Sequence, residues 1–213
     1  LGDVYKRQVQ EMADFVGLAF DLAFKYRNPA IILADGVIGQ MMEKVVLPEQ
    51  RPRLTNEEVM ARCPWATFGK LKHRGPNIVT SLELDPAEME KRNIHLQQKY
   101  AEIEEKEVRY EEIHCDDAEY LIVAFGSCAR IAQKAMEEAR AEGIKVGLLR
   151  PITLWPFPSK AIAERSRQVK GILTVELNAG QMVEDVRLAV ECKVPVEYFG
   201  RLGGIVPDPD EVV

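Results

Sequence analysis

The 213-residue chain is 46% hydrophobic and 29% charged, with a formal net charge of -6 and a pI near 5.3. That balance excludes sequence-independent nucleic-acid binding, which needs a basic face to displace counterions. No apolar run approaches the length of a bilayer span, so no membrane segment is expected.

Taken in order, the chain begins at Leu1 rather than methionine, and LGDVYKRQ reads as an abrupt, truncated start. Val9, Met12, Phe15, Val16, Ala19, Phe20 and Ala23 then recur at helical spacing as far as Asn28-Pro29, predicting an amphipathic helix. Ala30 to Ala34 (AIILA) is predicted as an apolar strand, with Asp35-Gly36 as the turn behind it. One helix and one strand cannot bury each other's faces, so this stretch reads as an incomplete αβ unit. Residues 48 to 82 carry scattered prolines and glycines without sustained periodicity, and read as a connecting strap. Trp65 is its one tryptophan, either an anchor that docks the strap or a substrate contact. Asp85-Pro86 opens a long polar helix to about Val108, with Met89, Leu96, Tyr100 and Ile103 as a thin apolar seam.

From residue 117 the pattern becomes βαβαβ. Tyr120–Ala124, Val146–Leu149, Ile172–Leu177 and Val196–Phe199 are predicted strands, separated by helical periods. Crossovers through helices make such a sheet parallel and right-handed. The fold class is therefore α/β: a doubly wound parallel sheet preceded by the incomplete αβ unit and the long connection with its polar helix.

Open parallel sheets bind ligands beyond the carboxyl ends of their strands, which directs attention to the loops after each strand. Gly126 and Ser127 follow the first predicted strand, and Ser127 is expected to cap the next helix. Gly126 either presents amides to an anion or serves backbone geometry; with one glycine where a dinucleotide fingerprint needs three, no Rossmann motif is written. Asn178 and Gln181 pair two amides at the start of another helix, where Asn178 is a ligand contact or an N-cap. Gly126, Ser127, Asn178 and Gln181 are the candidate cofactor-binding residues. His73, His95 and His114 all fall away from the sheet edge and are expected at the surface. Cys63, Cys115, Cys128 and Cys192 lie far apart without C-x-x-C spacing, so no zinc or iron–sulfur site is expected in this chain. Asp35 has no companion ligand in register, and no metal or catalytic residue is assigned. Nothing resembling a signal peptide opens the chain, and a cytoplasmic location with reduced thiols is expected.

The stretches PNIVTSLELDPAEMEKRNIHLQQKY, AEYLIVAFGSCARIAQKA, GIKVGLLRPITLWPFP, VELNAGQMVEDVR and GRLGGIVPDPDE resemble the 2-oxoacid:ferredoxin oxidoreductases. The likeness is to the larger, thiamine-pyrimidine and transketolase-C-like subunit of the branched-chain (2-oxoisovalerate) type. RNPAIILADGVIGQMMEKVVLP extends it upstream.

The resemblance implies the end of a pyrimidine-type thiamine-binding domain over about residues 1–47, a strap and polar helix over 48–116, and a transketolase C-terminal-like domain over 117–213. It further implies oxidative decarboxylation of a 2-oxoacid to an acyl-CoA, with coenzyme A as co-substrate and electrons passing to ferredoxin. Thiamine diphosphate and magnesium are implied to be held mainly by upstream residues and a partner subunit, and iron–sulfur clusters to reside in partner subunits only. The expected partners are thus a thiamine-diphosphate-binding subunit, iron–sulfur or ferredoxin-type subunits and ferredoxin, with no nucleic acid and no membrane. A free-standing, non-catalytic doubly wound module that binds a phosphorylated ligand or a partner is the alternative.

Overall fold

The computed structural model of the protein describes residues 7–69 and 72–213; most of the opening stretch LGDVYKRQ and two strap residues, Lys70 and Leu71, lie outside the described residues. In chain order the helices are α1 (Arg7–Tyr26), α2 (Gly36–Gln40), α3 (Asn56–Arg62), α4 (Pro86–Lys106), α5 (Gly126–Ala141), α6 (Ser159–Arg165) and α7 (Met182–Val190). The strands are β1 (Tyr110–Ile113), β2 (Tyr120–Ala124), β3 (Val146–Pro151), β4 (Gly171–Glu176) and β5 (Val196–Gly200), and a 3₁₀ turn closes the chain at Pro209–Glu211. Contacts divide these residues into two units, one holding Leu33–Met42 and Tyr100–Val213, the other Val9–Ile32 and Glu43–Lys99.

The first unit is built on a five-stranded sheet in the order β1-β3-β2-β4-β5. Strands β3, β2, β4 and β5 are parallel, in register through pairs such as Ile122 with Leu148 and Thr174 with Tyr198. The pleat sends alternate side chains to opposite faces. Leu121 and Val123 face α6 and α7, where they meet Ile162, Met182, Val186 and Val190. Ile122 and Ala124 face α5 and pack on Cys128, Ala132, Ala135 and Met136, a group that also takes in Val212 from the end of the chain. Helices therefore cover both faces, as a doubly wound sheet requires.

The sheet is mixed where sequence periodicity predicts a wholly parallel one. Strand β1 runs antiparallel to β3, pairing Tyr110 with Pro151 and Ile113 with Leu148, and lies in the stretch read as strap. Its sequence YEEI carries two carboxylates, which hide a strand from any apolar pattern. They are held by arginines: Arg150 pairs with Glu111 at 3.2 Å, and Arg165 grips Glu112 with Nε at 3.0 Å and Nη2 at 2.6 Å. The predicted strand Ala30–Ala34 is the opposite case. It has no strand partner among the described residues, and Ile31 is 87% exposed; an apolar run becomes a strand only against a neighbour that takes its backbone hydrogen bonds.

In the second unit α1 has its periodic face, although Val16, Phe20 and Phe24 remain exposed. Trp65 anchors the strap: its ring stands 5.7 Å from that of Phe24, the Arg27 guanidinium lies 4.9 Å above it, and Asn77 donates to its carbonyl at 2.8 Å. The strap also holds α3, whose Thr55 and Glu58 form a capping box.

Candidate functional site

In the parallel part of the sheet, the chain leaves β2 through α5 toward β3 on one side and leaves β4 through α7 toward β5 on the other. The carboxyl ends of β2 and β4, which are neighbours, thus form the topological switch point where such sheets leave a crevice. Gly126 and Ser127 lie on its β2 side, Asn178 and Gln181 on its β4 side. The fold brings all four sequence candidates to one place.

On the β2 side, Phe125 is the residue that precedes the helix and makes no side-chain cap, so the expected capping role of Ser127 is not realised. Ser127 sits in the first turn of α5, almost fully buried, and its hydroxyl donates to Asp35 Oδ2 at 2.6 Å while its amide donates to the same oxygen at 3.3 Å. Gly126 has φ +57, and a Cβ there would stand 3.5 Å from that oxygen. Oδ1 of Asp35 accepts from the amides of Val37 and Ile38 at 3.0 and 2.9 Å, starting α2. Burial disfavours the charge on Asp35, but the hydrogen bonds from Ser127, Ile38 and Val37 outweigh it and hold the carboxyl below its ordinary value.

On the β4 side the decisive residue is Glu176, which ends its strand with 1% of its surface exposed. Its carboxylate accepts from the amides of Gln181, Met182 and Val183 at 3.2, 2.8 and 2.9 Å. These are donors that a helix start leaves unpaired, and here an internal anion satisfies them. Asn178 does not cap α7; its Oδ1 accepts from Gly180 N at 2.8 Å in a tight turn. The Tyr198 hydroxyl donates to the Asn178 carbonyl. The Gln181 side chain is exposed.

The switch point is consequently anionic. Cys128, one residue beyond Ser127, registers this: burial, then the charges of Asp35 and Glu176, push its thiol up to about 12. Cys115 is pushed up to about 11, mainly by burial and then by Glu112. His73, His95 and His114 are exposed, as expected of surface residues. Among the described residues no group of three or more His, Cys, Asp and Glu side chains is placed to hold a metal, and no described helix is long and apolar enough to cross a membrane.

Sequence periodicity finds the loops but misses the two carboxylates that organise them. Ser127 and Asp35 are 92 positions apart. The one local signal for Glu176 is an acidic residue at the end of an otherwise apolar strand, four residues before a glycine that precedes a helix.

The comparisons with known proteins agree with this architecture. The family model described as pyruvate flavodoxin/ferredoxin oxidoreductase, thiamine diphosphate-binding, matches residues 4–114, and that described as pyruvate:ferredoxin oxidoreductase core domain II matches residues 118–212. The chain belongs to the pyruvate flavodoxin/ferredoxin oxidoreductase family. Within it, the ketoisovalerate oxidoreductase subunit VorB of Methanothermobacter thermautotrophicus is 50% identical over 196 residues, a match covering 92% of this chain and 54% of that protein. The 2-oxoglutarate synthase subunit KorA of Methanothermobacter marburgensis is 30% identical over 225 residues, covering 96% of this chain and 60% of that protein. The chain thus spans a little over half the length of these curated relatives. Among solved structures, a 2-oxoglutarate:ferredoxin oxidoreductase from Magnetococcus marinus, with 2-oxoglutarate, coenzyme A and succinyl-CoA bound, superposes with a TM-score of 0.55 at 23% identity, over 62% of this chain and 23% of that one. That likeness is one of fold.

Proposed function

We propose that this chain forms part of the larger subunit of a 2-oxoacid:ferredoxin oxidoreductase that converts a branched-chain 2-oxoacid to an acyl-CoA and passes electrons to ferredoxin. The observation that carries this is the 50% identity to VorB over 92% of the chain. KorA, named for 2-oxoglutarate, stands at 30%. The difference favours the branched-chain substrate.

Thiamine diphosphate is the cofactor this family implies, and the residues described here do not fit it. The helix starts at the switch point, which would be natural seats for a diphosphate, already hold Asp35 and Glu176, and no metal-binding group accompanies them. In our proposal thiamine diphosphate and magnesium are held mainly outside this chain, by upstream residues and a thiamine-diphosphate-binding partner subunit. Coenzyme A is the co-substrate. Iron–sulfur clusters belong to partner subunits, since Cys63, Cys115 and Cys128 are separately buried and Cys192 is exposed alone. The complex is placed in the cytoplasm, where these thiols stay reduced.

By the same reading, residues up to about 47 are the end of a pyrimidine-type thiamine-binding domain, 48–116 are the strap, and 117–213 are transketolase C-terminal-like. The changeover between family models from residue 114 to 118 supports the last boundary. Gly126 and Ser127 then serve as the seat of Asp35, and the Asn178 side-chain NH2, whose Oδ1 partner is Gly180 N, and the exposed Gln181 side chain remain to meet a cofactor or a partner. A free-standing phosphoryl-binding module is the weaker alternative, because the carboxylates of half-buried Asp35 and buried Glu176 would repel a phosphate.

The test is to assemble the full-length subunit that contains this sequence with its partner subunits and measure CoA-dependent ferredoxin reduction. Higher kcat/KM for 2-oxoisovalerate than for 2-oxoglutarate or pyruvate is expected. A preference for either of the others would overturn the substrate assignment, and no turnover of any 2-oxoacid would overturn the activity.

A further inference from the structure

We propose that Asp35 is a positioning residue that latches the Leu33–Met42 segment onto the first turn of α5, on the β2 side of the switch point. An aspartate that only started α2 would use one carboxylate oxygen on its own backbone. Here the two oxygens divide the work between two elements 92 positions apart. Oδ1 takes the amides of Val37 and Ile38, and Oδ2 takes the hydroxyl and amide of Ser127.

The surroundings are built for this crossing bond. Ser127 is buried with 4% of its surface exposed, so water does not readily replace Asp35 as its acceptor. Gly126 supplies a left-handed turn with φ +57, a conformation that side-chain-bearing residues rarely adopt. Ile38, the residue whose amide Asp35 holds, is itself buried. Arg130, one turn farther along α5, donates from Nη1 to Met41 Sδ at 3.5 Å and fastens the far end of α2. The segment is thus pinned at both ends of its short helix, by the Asp35 carboxylate at the start and the Arg130 guanidinium at the far end.

Hydrogen exchange on the 213-residue chain, comparing wild type with Ser127→Ala, Asp35→Asn and the double variant, tests the latch. Asn caps a helix about as well as Asp, so Asp35→Asn spares the start of α2 while turning an amide nitrogen or a weaker acceptor toward Ser127. Losing one hydrogen bond to a charged group should speed exchange at Val37, Ile38 and Gly39 by about tenfold in each single variant. The amides of β2 and β4 should stay within about twofold of wild type, and the double variant should exchange no faster than Asp35→Asn. Wild-type exchange at residues 37–39 in Ser127→Ala would show that Asp35 is a local cap only and overturn the proposal. So would a uniform rise that includes β2 and β4. If Asp35→Asn fails to fold, Ser127→Ala alone decides between these outcomes.

Discussion

Glu176 shows how much can rest on one side chain. Its carboxylate is buried and takes three backbone amides at the start of α7, so Glu176→Ala would strand those donors away from water. The expected cost is about 3 kcal/mol, read as a lowered midpoint in urea unfolding with an unchanged slope; a shift under about 0.5 kcal/mol would contradict the capping role. Asp35 adds a pH dependence of defined sign. Its folded carboxyl titrates below the ordinary value of 3.8, so its contribution is fully present above that value and is lost as pH falls through the lower, folded one. The acid-unfolding step that Asp35 adds to wild type should therefore disappear in Asp35→Asn. Thiol chemistry checks the same region. Cys115 and Cys128, pushed up to about 11 and about 12, should resist iodoacetamide at pH 8, while exposed Cys192 reacts. Mass mapping that found Cys128 alkylated as fast as Cys192 would show that the first turn of α5 is open. The roles of Asp35, Ser127 and Glu176 are not legible from periodicity: Asp35 reads as a turn former, Ser127 as a cap and Glu176 as one residue within the strand Ile172–Leu177. Each depends on a partner brought up by the fold.

At the scale of elements, most of the α/β pattern from Tyr120 onward is legible because strands buried on both faces leave continuous apolar runs, as in YLIVA, and helices leave periodic ones. The misses have a physical pattern. Strand β1 escapes notice because its carboxylates are tied by Arg150 and Arg165, whereas Ala30–Ala34 is read as a strand because composition says nothing about whether a neighbouring strand exists. Helix α3 is short and polar, and only its capping box marks it. The bidentate grip of Arg165 on Glu112 joins α6 to the edge strand. Both side chains are about three-quarters buried, so the pair should be worth more than an exposed one, about 1–2 kcal/mol. Arg165→Met should cost that amount and speed amide exchange in Glu112 and Ile113 while leaving β4 unchanged. Equal loosening of β4 would mean that α6 itself had been lost.

For the whole molecule, surface and chemistry point the same way. Helix α1 exposes Val16, Phe20 and Phe24, and the following segment exposes Ile31 and Ile32, an apolar concentration of the kind that marks a contact surface. Burying each such side chain is worth about 1.5–3 kcal/mol. The isolated chain should accordingly associate as its concentration rises, and Phe20→Asp should reduce the apparent mass in light scattering; a wild-type chain monodisperse as a monomer at high concentration would contradict this. At the switch point, the edge where a doubly wound sheet would seat a diphosphate is filled by the chain's own carboxylates.

Calorimetric titration of the 213-residue chain with thiamine diphosphate and magnesium measures that point directly, first alone and then with the thiamine-diphosphate-binding partner subunit. The expected result is no binding to the chain alone and stoichiometric binding once the partner is present. Stoichiometric binding to the chain alone would contradict the proposal that Asp35 and Glu176 close this edge and that the cofactor is held mainly elsewhere.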